Sequence, residues 1–465
     1  MIISNINIVI TILMASSLIV LVLEAIGNKP FRSSLYEKAH IRLFSIGAVL
    51  LSLVLIVLDL MSQAQLLKQP QLFFDDILTM FLLINTLIAI HLGNKTILNK
   101  QSGDIYFLIL SSLIISIVNI STDYLILKLI NSTGWLIIMA TLAIKTTSGG
   151  KKAEIGLKIT FNAILVFLLL LFSLYLLTYS SHVSDLSSLA IEQGASETMG
   201  ILGLSLFILA GLSLAGIPPF SFAHIDCADG SNLSTAFLLL SNAIIQGASH
   251  LIDARAIILR SDALTDVALQ IIGFILAAGL LMAWLRALDQ SKIRRTMSYI
   301  ASSIGPVFCL SLLFGTSELL PKLVFIMAVF SFLTLSLFVL FGALAYMEPI
   351  GQHWQTWEDI AGFGRKNKVQ TLYLLIALAS IAGLPGTLGY FIKLSLIAPM
   401  KDNIIFSGTI FISIAFGAAC TMRMFVFLFS KQSTVNYQEA NELPPFSLMV
   451  SALVLIALGL FPFVR

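Results

Sequence analysis

The sequence predicts an all-α integral membrane protein of about fourteen transmembrane helices. Three observations lead there. Of 465 residues, 58% are hydrophobic and 11% charged, against roughly 45–50% and about 25% in soluble chains; a water-soluble fold has no interior large enough for that apolar surface. The apolar residues cluster in stretches of about 20, the length that crosses a hydrocarbon layer as a helix. The basic residues favour every second intervening loop, as the charge rule for membrane topology requires.

The stretches run roughly over 8–27, 43–62, 73–93, 105–121, 124–144, 159–180, 199–217, 234–254, 266–285, 297–315, 323–346, 371–397, 404–430 and 446–463. Met1–Gly27 lacks a basic leader and an obvious small-residue cleavage site, so it reads as a first span and not as a removed signal peptide. Loops counted as inside from the one after span 1 carry eighteen Lys and Arg, from Lys29, Arg32 and Lys38 through Arg294 and Arg295 to Lys431. The opposite set carries six: Lys68, Arg255, Arg260, Lys322, Lys401 and Arg465. Both termini are therefore expected on the periplasmic or intermembrane side, of a bacterial cytoplasmic or a mitochondrial inner membrane. Lys128, Lys393 and Arg423 fall inside spans.

Other classes drop out. A net charge of +3 gives no basic stripe for nucleic acid. Cys227, Cys309 and Cys420 form no C-x-x-C pair, and none of the six histidines lies in an H-E-x-x-H or i, i+4 arrangement. No local ligand set exists for zinc, haem or an iron–sulfur cluster. No polar stretch reaches domain length.

Spans 7 and 12 echo each other, Ser213-Leu-Ala-Gly-Ile-Pro-Pro219 against Ser380-Ile-Ala-Gly-Leu-Pro-Gly386. Proline deep in a membrane helix frees backbone carbonyls, which only protein or a wet cavity can satisfy. Broken helices five spans apart suggest two inverted five-helix repeats, spans 4–8 (105–260) and 9–13 (261–432), as in many secondary transporters. Residues 1–104 then supply helices 1–3 and 433–465 a last helix, all in one domain. Pro218, Pro219, Gly383, Pro385 and Gly386 are the expected breaks. Ordinary packing kinks are the alternative.

These residues carry a family resemblance. Ala379-Ser-Ile-Ala-Gly-Leu-Pro-Gly-Thr-Leu-Gly-Tyr-Phe-Ile-Lys393 resembles the S-L-A-G-I-P-x-T-x-G-F-x-x-K pattern of the antiporter-like subunits of respiratory complex I. Ile360–Gly364, Glu154–Lys158, Pro219–Gly230 and Arg294–Tyr299 resemble further motifs of that family, in order and in register. Within the family the similarity is greatest to the subunit N type of NADH–quinone oxidoreductase (NADH dehydrogenase subunit 2). The resemblance implies a membrane-arm subunit that binds no redox cofactor, with NADH, FMN, iron–sulfur clusters and quinone held elsewhere in the complex. It implies other antiporter-like and small membrane subunits as partners, within the lipid bilayer. Its activity would be redox-driven proton translocation through buried lysines and water.

The chain departs from the pattern at the charges. The family's span-5 glutamate falls in the stretch from Leu127 to Ser132, which holds Lys128; its span-7 lysine falls at Leu214, its span-8 lysine near Asn242, and its span-10 histidine near Ile304. Only the span-12 lysine remains, as Lys393. An ionisable group at the bilayer centre costs at least about 2.5–3.5 kcal/mol, so it points to function. Burial favours a lysine's neutral form and a nearby carboxylate favours the charged one, which lets a lysine load and release a proton; arginine stays charged. Lys393 and Lys128 are thus proton-transfer candidates, against a snorkelling role.

Asn242, His250 and Asp253 complete the candidate set, the last two one turn apart on one helix face as an exit relay or a simple end-cap pair. Ser132, Ser213, Ser241, Ser302 and Ser303 are candidate water-wire hydroxyls. Glu24, Asp59, Asp75 and Asp76 read as solvated or paired end-caps, and Arg423 as an anchor. Two further readings stay open: a degenerate scaffold subunit that does not pump, and a subunit of a cation/proton antiporter or membrane-bound hydrogenase.

Overall fold

The computed structural model describes residues 5–27, 35–64, 70–97, 104–147, 149–191, 197–261, 265–314, 319–347, 356–397, 404–430 and 446–460. Lys29, Arg32, Lys68, Lys401, Lys431 and Arg465 of the charge analysis lie outside them, as do the side chains of Glu24, Lys38 and Lys322. Helices run, in chain order, over α1 (Asn5–Gly27), α2 (Leu35–Ala64), α3 (Pro70–Ile97), α4 (Asp104–Ile120), α5 (Leu125–Thr146), α6 (Lys152–Ser181), α7 (Glu197–Leu214), α8 (Phe222–Gly230), α9 (Leu233–Arg260), α10 (Thr265–Asp289), α11 (Ile293–Ser302), α12 (Ile304–Phe314), α13 (Leu319–Met347), α14 (Phe363–Lys366), α15 (Lys368–Ala382), α16 (Leu388–Ile397), α17 (Ile404–Phe429) and α18 (Phe446–Leu460). Among the described residues, β pairing is limited to two isolated bridges, Tyr124 with Asp185 and Lys292 with Thr356. Ten helical stretches there are long and apolar enough to cross a membrane, and five shorter apolar helices accompany them. The protein is a multi-pass membrane protein.

The described chain forms two compact units. The first comprises Met1–Leu214 with Gly230–Ser249. Its helix α6 shows how composition sets orientation. Leu157, Phe161, Phe172 and Tyr175 are exposed, while Gly156, Asn162, Ala163 and Ser173 are buried. The buried face mixes Ile155, Ile159, Val166, Leu170 and Leu177 with these small and polar residues, while large apolar side chains also cover the exposed face, as suits a helix with lipid on its outer side. Neighbours in sequence pack together here: α6 lies against α5 and α7, and α4 against α5. Asp104 at the start of α4 pairs with Lys145 at the end of α5.

The second unit comprises Ala215–Asp229 with His250–Arg465. Helix α7 stops at Leu214 and α8 begins at Phe222, with Gly216 at φ 62° and a cis Pro218-Pro219 bond between them. Helix α15 stops at Ala382 and α16 begins at Leu388, with Gly383 at φ 81° and Gly386 at φ 85°. A further break was not expected from sequence: the single stretch 297–315 divides into α11 and α12 at Ser303. Pro306 explains it, since it has no N–H for the Ser302 carbonyl and its ring crowds that oxygen. Ser303 N–H is shared between the carbonyls of Tyr299 (3.1 Å) and Ile300 (3.2 Å).

Two of the resemblance segments meet in this unit. Arg295 on α11 pairs with Asp226 on α8, and Arg294 donates to the Asp229 carbonyl at 3.4 Å. Arg423 on α17 acts as the expected anchor. It donates to the Leu288 carbonyl and to the Gln290 carbonyl (3.4 Å), beyond which no helical N–H is available, and lies over the Trp357 ring at 4.9 Å. Trp357 itself donates to the Gln290 carbonyl at 3.0 Å and stacks on Phe427 at 5.3 Å. Basic groups at a helix C-terminus satisfy its last carbonyls in this way.

Candidate functional site

The most elaborated site of the second unit is built on the break between α15 and α16. Its origin is local. Gly383 takes the left-handed conformation that closes α15, and the N–H groups of Gly383 (3.0 Å) and Leu384 (2.9 Å) satisfy the Ala379 carbonyl, a glycine-capped helix end. Pro385 has no N–H to return to the preceding turn. The Ala382 carbonyl is left facing inward, and Lys393 reaches back from α16 to donate to it, Nζ to O at 2.8 Å. Lys393 is 1% exposed. Its Nζ lies over the Trp284 ring on α10, 5.5 Å from the ring centre, a distance at which a protonated amine makes a cation–π contact.

Glycines make room for this arrangement. A Cβ on Gly383 would lie 2.8 Å from Lys393 Cδ. One on Gly417 of α17 would lie 2.7 Å from Ala382 Cβ and 3.2 Å from Trp284 Cη2. Ser380, one turn before the break, approaches Ser336 of α13 at 3.4 Å between hydroxyls. Among the described residues Lys393 has no carboxylate partner.

The first unit holds a different polar core, made mostly of amides. Asn85 on α3 donates to Asn242 Oδ1 on α9 at 3.3 Å. One turn along α9, Gln246 Oε1 accepts from Asn119 Nδ2 of α4. Asn119 Oδ1 in turn accepts from Ser132 Oγ of α5 at 3.3 Å. Separately, Ser213 at the end of α7 donates to Asn162 Oδ1 of α6 at 2.9 Å. All these side chains are buried. The Nδ2 groups of Asn242 and Asn162 have no hydrogen-bond partner among the described residues.

The candidate residues distribute as follows. Asn242 joins the amide core. Lys128 is buried in the first unit, one helical turn from Ser132 on α5, so it does not snorkel from an exposed face. Lys393 likewise reaches inward. His250 is buried and Asp253 half-buried, one turn apart on α9. Ser132 and Ser213 make the inter-helix bonds above, whereas Ser241, Ser302 and Ser303 donate to carbonyls of their own helices. Asp76 is buried well inside α3 and is not a solvated cap; Asp59 and Asp75 are half-buried. Leu214 and Ile304, at two charge positions of the resemblance, are fully buried apolar contacts. Among the described residues no three His, Cys, Asp or Glu side chains gather as a metal site.

Sequence reading missed Trp284, Asn85, Asn119, Asn162 and Gln246. Isolated amides in apolar helices carried one usable signal: Asn242 and Gln246 are spaced by four and so share a helix face. Trp284 carried none, because an apolar ring in an apolar helix is indistinguishable from packing.

These features define a multi-pass α-helical membrane protein whose helices break between α7 and α8, between α11 and α12, and between α15 and α16, the last break presenting a buried lysine. The chain belongs to the NADH:quinone oxidoreductase/Mrp antiporter transmembrane family, whose model matches residues 123–421. Relatives named NADH-quinone oxidoreductase subunit N include one from Jannaschia sp. (strain CCS1), 24% identical over 58% of this chain and 56% of its own length. Another, from Beijerinckia indica subsp. indica, is 25% identical over 82% of this chain and 79% of its own. The chain spans 56%, 59% and 60% of the length of three such relatives. In fold it is similar to a chain of respiratory complex I from Thermus thermophilus with bound aureothin (TM-score 0.74, 20% identity, 98% and 97% of the two chains). It is similar also to a chain of the Mrp complex from Dietzia sp. DQ12-45-1b (TM-score 0.77, 13% identity, 98% and 95%).

Proposed function

We propose that the chain is a membrane-arm subunit of a complex I-type NADH–quinone oxidoreductase and takes part in redox-driven proton translocation, with Lys393 as the proton-carrying group. The observation that carries this reading is the buried Lys393 amine bonded to the Ala382 carbonyl inside a helix break. A lysine in that position costs free energy unless it is used, and its primary amine can pass between charged and neutral forms where a guanidinium cannot. In this reading the chain has fourteen spans in two inverted five-helix repeats, with both termini on the outer side. NADH, FMN, iron–sulfur clusters and quinone reside in other subunits, and the neighbours are antiporter-like and small membrane subunits. Lys128, Asn242, His250 and Asp253 serve as further proton-transfer groups.

A scaffold role in the same complex is the second reading, favoured by the first unit's core of neutral amides where the family resemblance leads one to expect charges. Lys393→Met separates the two. In the complex extracted gently from its native membrane and reconstituted in vesicles, proton translocation should fall at least tenfold relative to quinone reduction in the variant. Unchanged translocation in a fully assembled Lys393→Met complex leaves the scaffold reading. Sodium-dependent transport from a preparation containing no flavin or iron–sulfur subunits moves the chain to the antiporter class.

A further inference from the structure

Lys393 raises a question of charge. A buried ammonium normally needs an anionic partner, yet among the described residues it has no carboxylate. It has two partners instead: the Ala382 carbonyl at 2.8 Å and the face of Trp284, whose ring centre lies 5.5 Å away.

Trp284 is fully buried. A buried tryptophan is ordinarily fixed by a hydrogen bond from its indole N–H, but Trp284 Nε1 has none among the described residues. Trp135 Nε1 has none either; what sets Trp284 apart is the Lys393 Nζ over its π face. The fit is close. Gly417 lets α17 approach the ring to 3.2 Å and the Ala382 methyl to 2.7 Å, measured from where its Cβ would be. The ring, the carbonyl-bearing turn and the lysine stem are thus packed against one another by residues with no room to spare.

We infer that Trp284 is a positioning residue for Lys393, its π face holding the protonated amine at the helix break in place of a carboxylate. The inference rests on the proposed carrier role of Lys393. A neutral π donor has a consequence that a carboxylate lacks: it stabilises the cation without forming a competing proton acceptor. The proton leaves the amine for water or a transferring group and is not trapped in a salt bridge. Ring electron density, and not ring volume alone, then sets how firmly the cation is held.

The test uses the whole complex from its native membrane, reconstituted in vesicles, with proton translocation and quinone reduction measured separately. Trp284→Leu should lower translocation roughly thirtyfold, the size of a desolvated cation–π contact, and Trp284→Phe should restore most of it. Where Trp284→Leu fails to assemble, biosynthetic replacement of tryptophan by mono-, di- and trifluorotryptophan supplies the readout, since fluorine drains the π face with little change in shape. Translocation should change stepwise with fluorination in the unsubstituted chain. The same series in Trp284→Phe, which contains the other tryptophans only, should be flat. Equal fluorine responses in the two chains, or a Trp284→Leu complex that assembles and translocates normally, overturn the inference. Lys393→Met keeps the two claims separate. If it translocates normally, the carrier reading has failed; if it loses translocation while Trp284→Leu does not, only the role of Trp284 has failed.

Discussion

Gly383→Ala and Gly386→Ala form a matched pair. Both glycines hold left-handed backbone, at φ 81° and 85°, so an alanine costs about 1–2 kcal/mol of backbone strain at either. Their surroundings differ. At 386 the new methyl meets nothing closer than Leu460 Cδ2 at 3.8 Å, an ordinary contact; at 383 it lies 2.8 Å from Lys393 Cδ and 3.4 Å from Nζ. Carbon atoms sit comfortably at about 3.5–4.0 Å, so the lysine stem must give way by roughly 1 Å. Carried through to Nζ, a shift of that size stretches its bond to the Ala382 carbonyl, now at 2.8 Å, beyond hydrogen-bond range. Displacements of about 1 Å at a reacting group can cost up to ~100-fold in rate. Stability, measured by reversible unfolding in mixed micelles, should fall in both variants through the shared backbone strain, and by about 1–3 kcal/mol more in Gly383→Ala, where the methyl also overpacks against the lysine. Proton translocation in vesicles, normalised to assembled complex, should fall tens of fold further in Gly383→Ala. If the two variants translocate alike, the placement of Lys393 against the break is not what matters, and the proposed role of the site fails with it.

Three other perturbations have defined outcomes. Ser213→Ala and Asn162→Leu break the buried bond between α7 and α6; a double-mutant cycle by unfolding in micelles should give a coupling of about 0.6 kcal/mol, the average for such bonds in membrane proteins, and no more than about 1.7 kcal/mol. Arg423→Met removes two carbonyl bonds and the stack on Trp357, so limited proteolysis should cut between α10 and α15 faster than in the native chain; Arg423→Lys should not rescue, because a point charge cannot span both carbonyls and cover the ring. Glu154→Gln breaks an exposed i, i+4 pair with Lys158 at 2.6 Å, and unfolding should shift by no more than about 0.5 kcal/mol.

Much of this protein was legible in its sequence because a membrane imposes its constraint along the chain. Every backbone group in lipid must be bonded within its own helix, so apolar length pointed to the helical stretches, and the expected break residues Pro218, Pro219, Gly383, Pro385 and Gly386 lie in the segments between α7 and α8 and between α15 and α16. The break at Ser303 was overlooked because a single Pro306 in an apolar run is a weak mark until its effect on the Ser302 carbonyl is seen. The motif ending in Lys393 gave the family. What lay beyond the sequence was partnership between distant segments. Nothing in the residues around 284 and 393 says that α10 lays an indole against α16, or that the lysine turns inward to Ala382 instead of outward to an interface. Nor do Asn85 and Asn119 reveal that their amides meet Asn242 and Gln246. In lipid the alternation of apolar and polar residues that orients a helix in water is nearly absent, so which face of each helix is inward, and which side chains meet there, is decided only by packing in three dimensions.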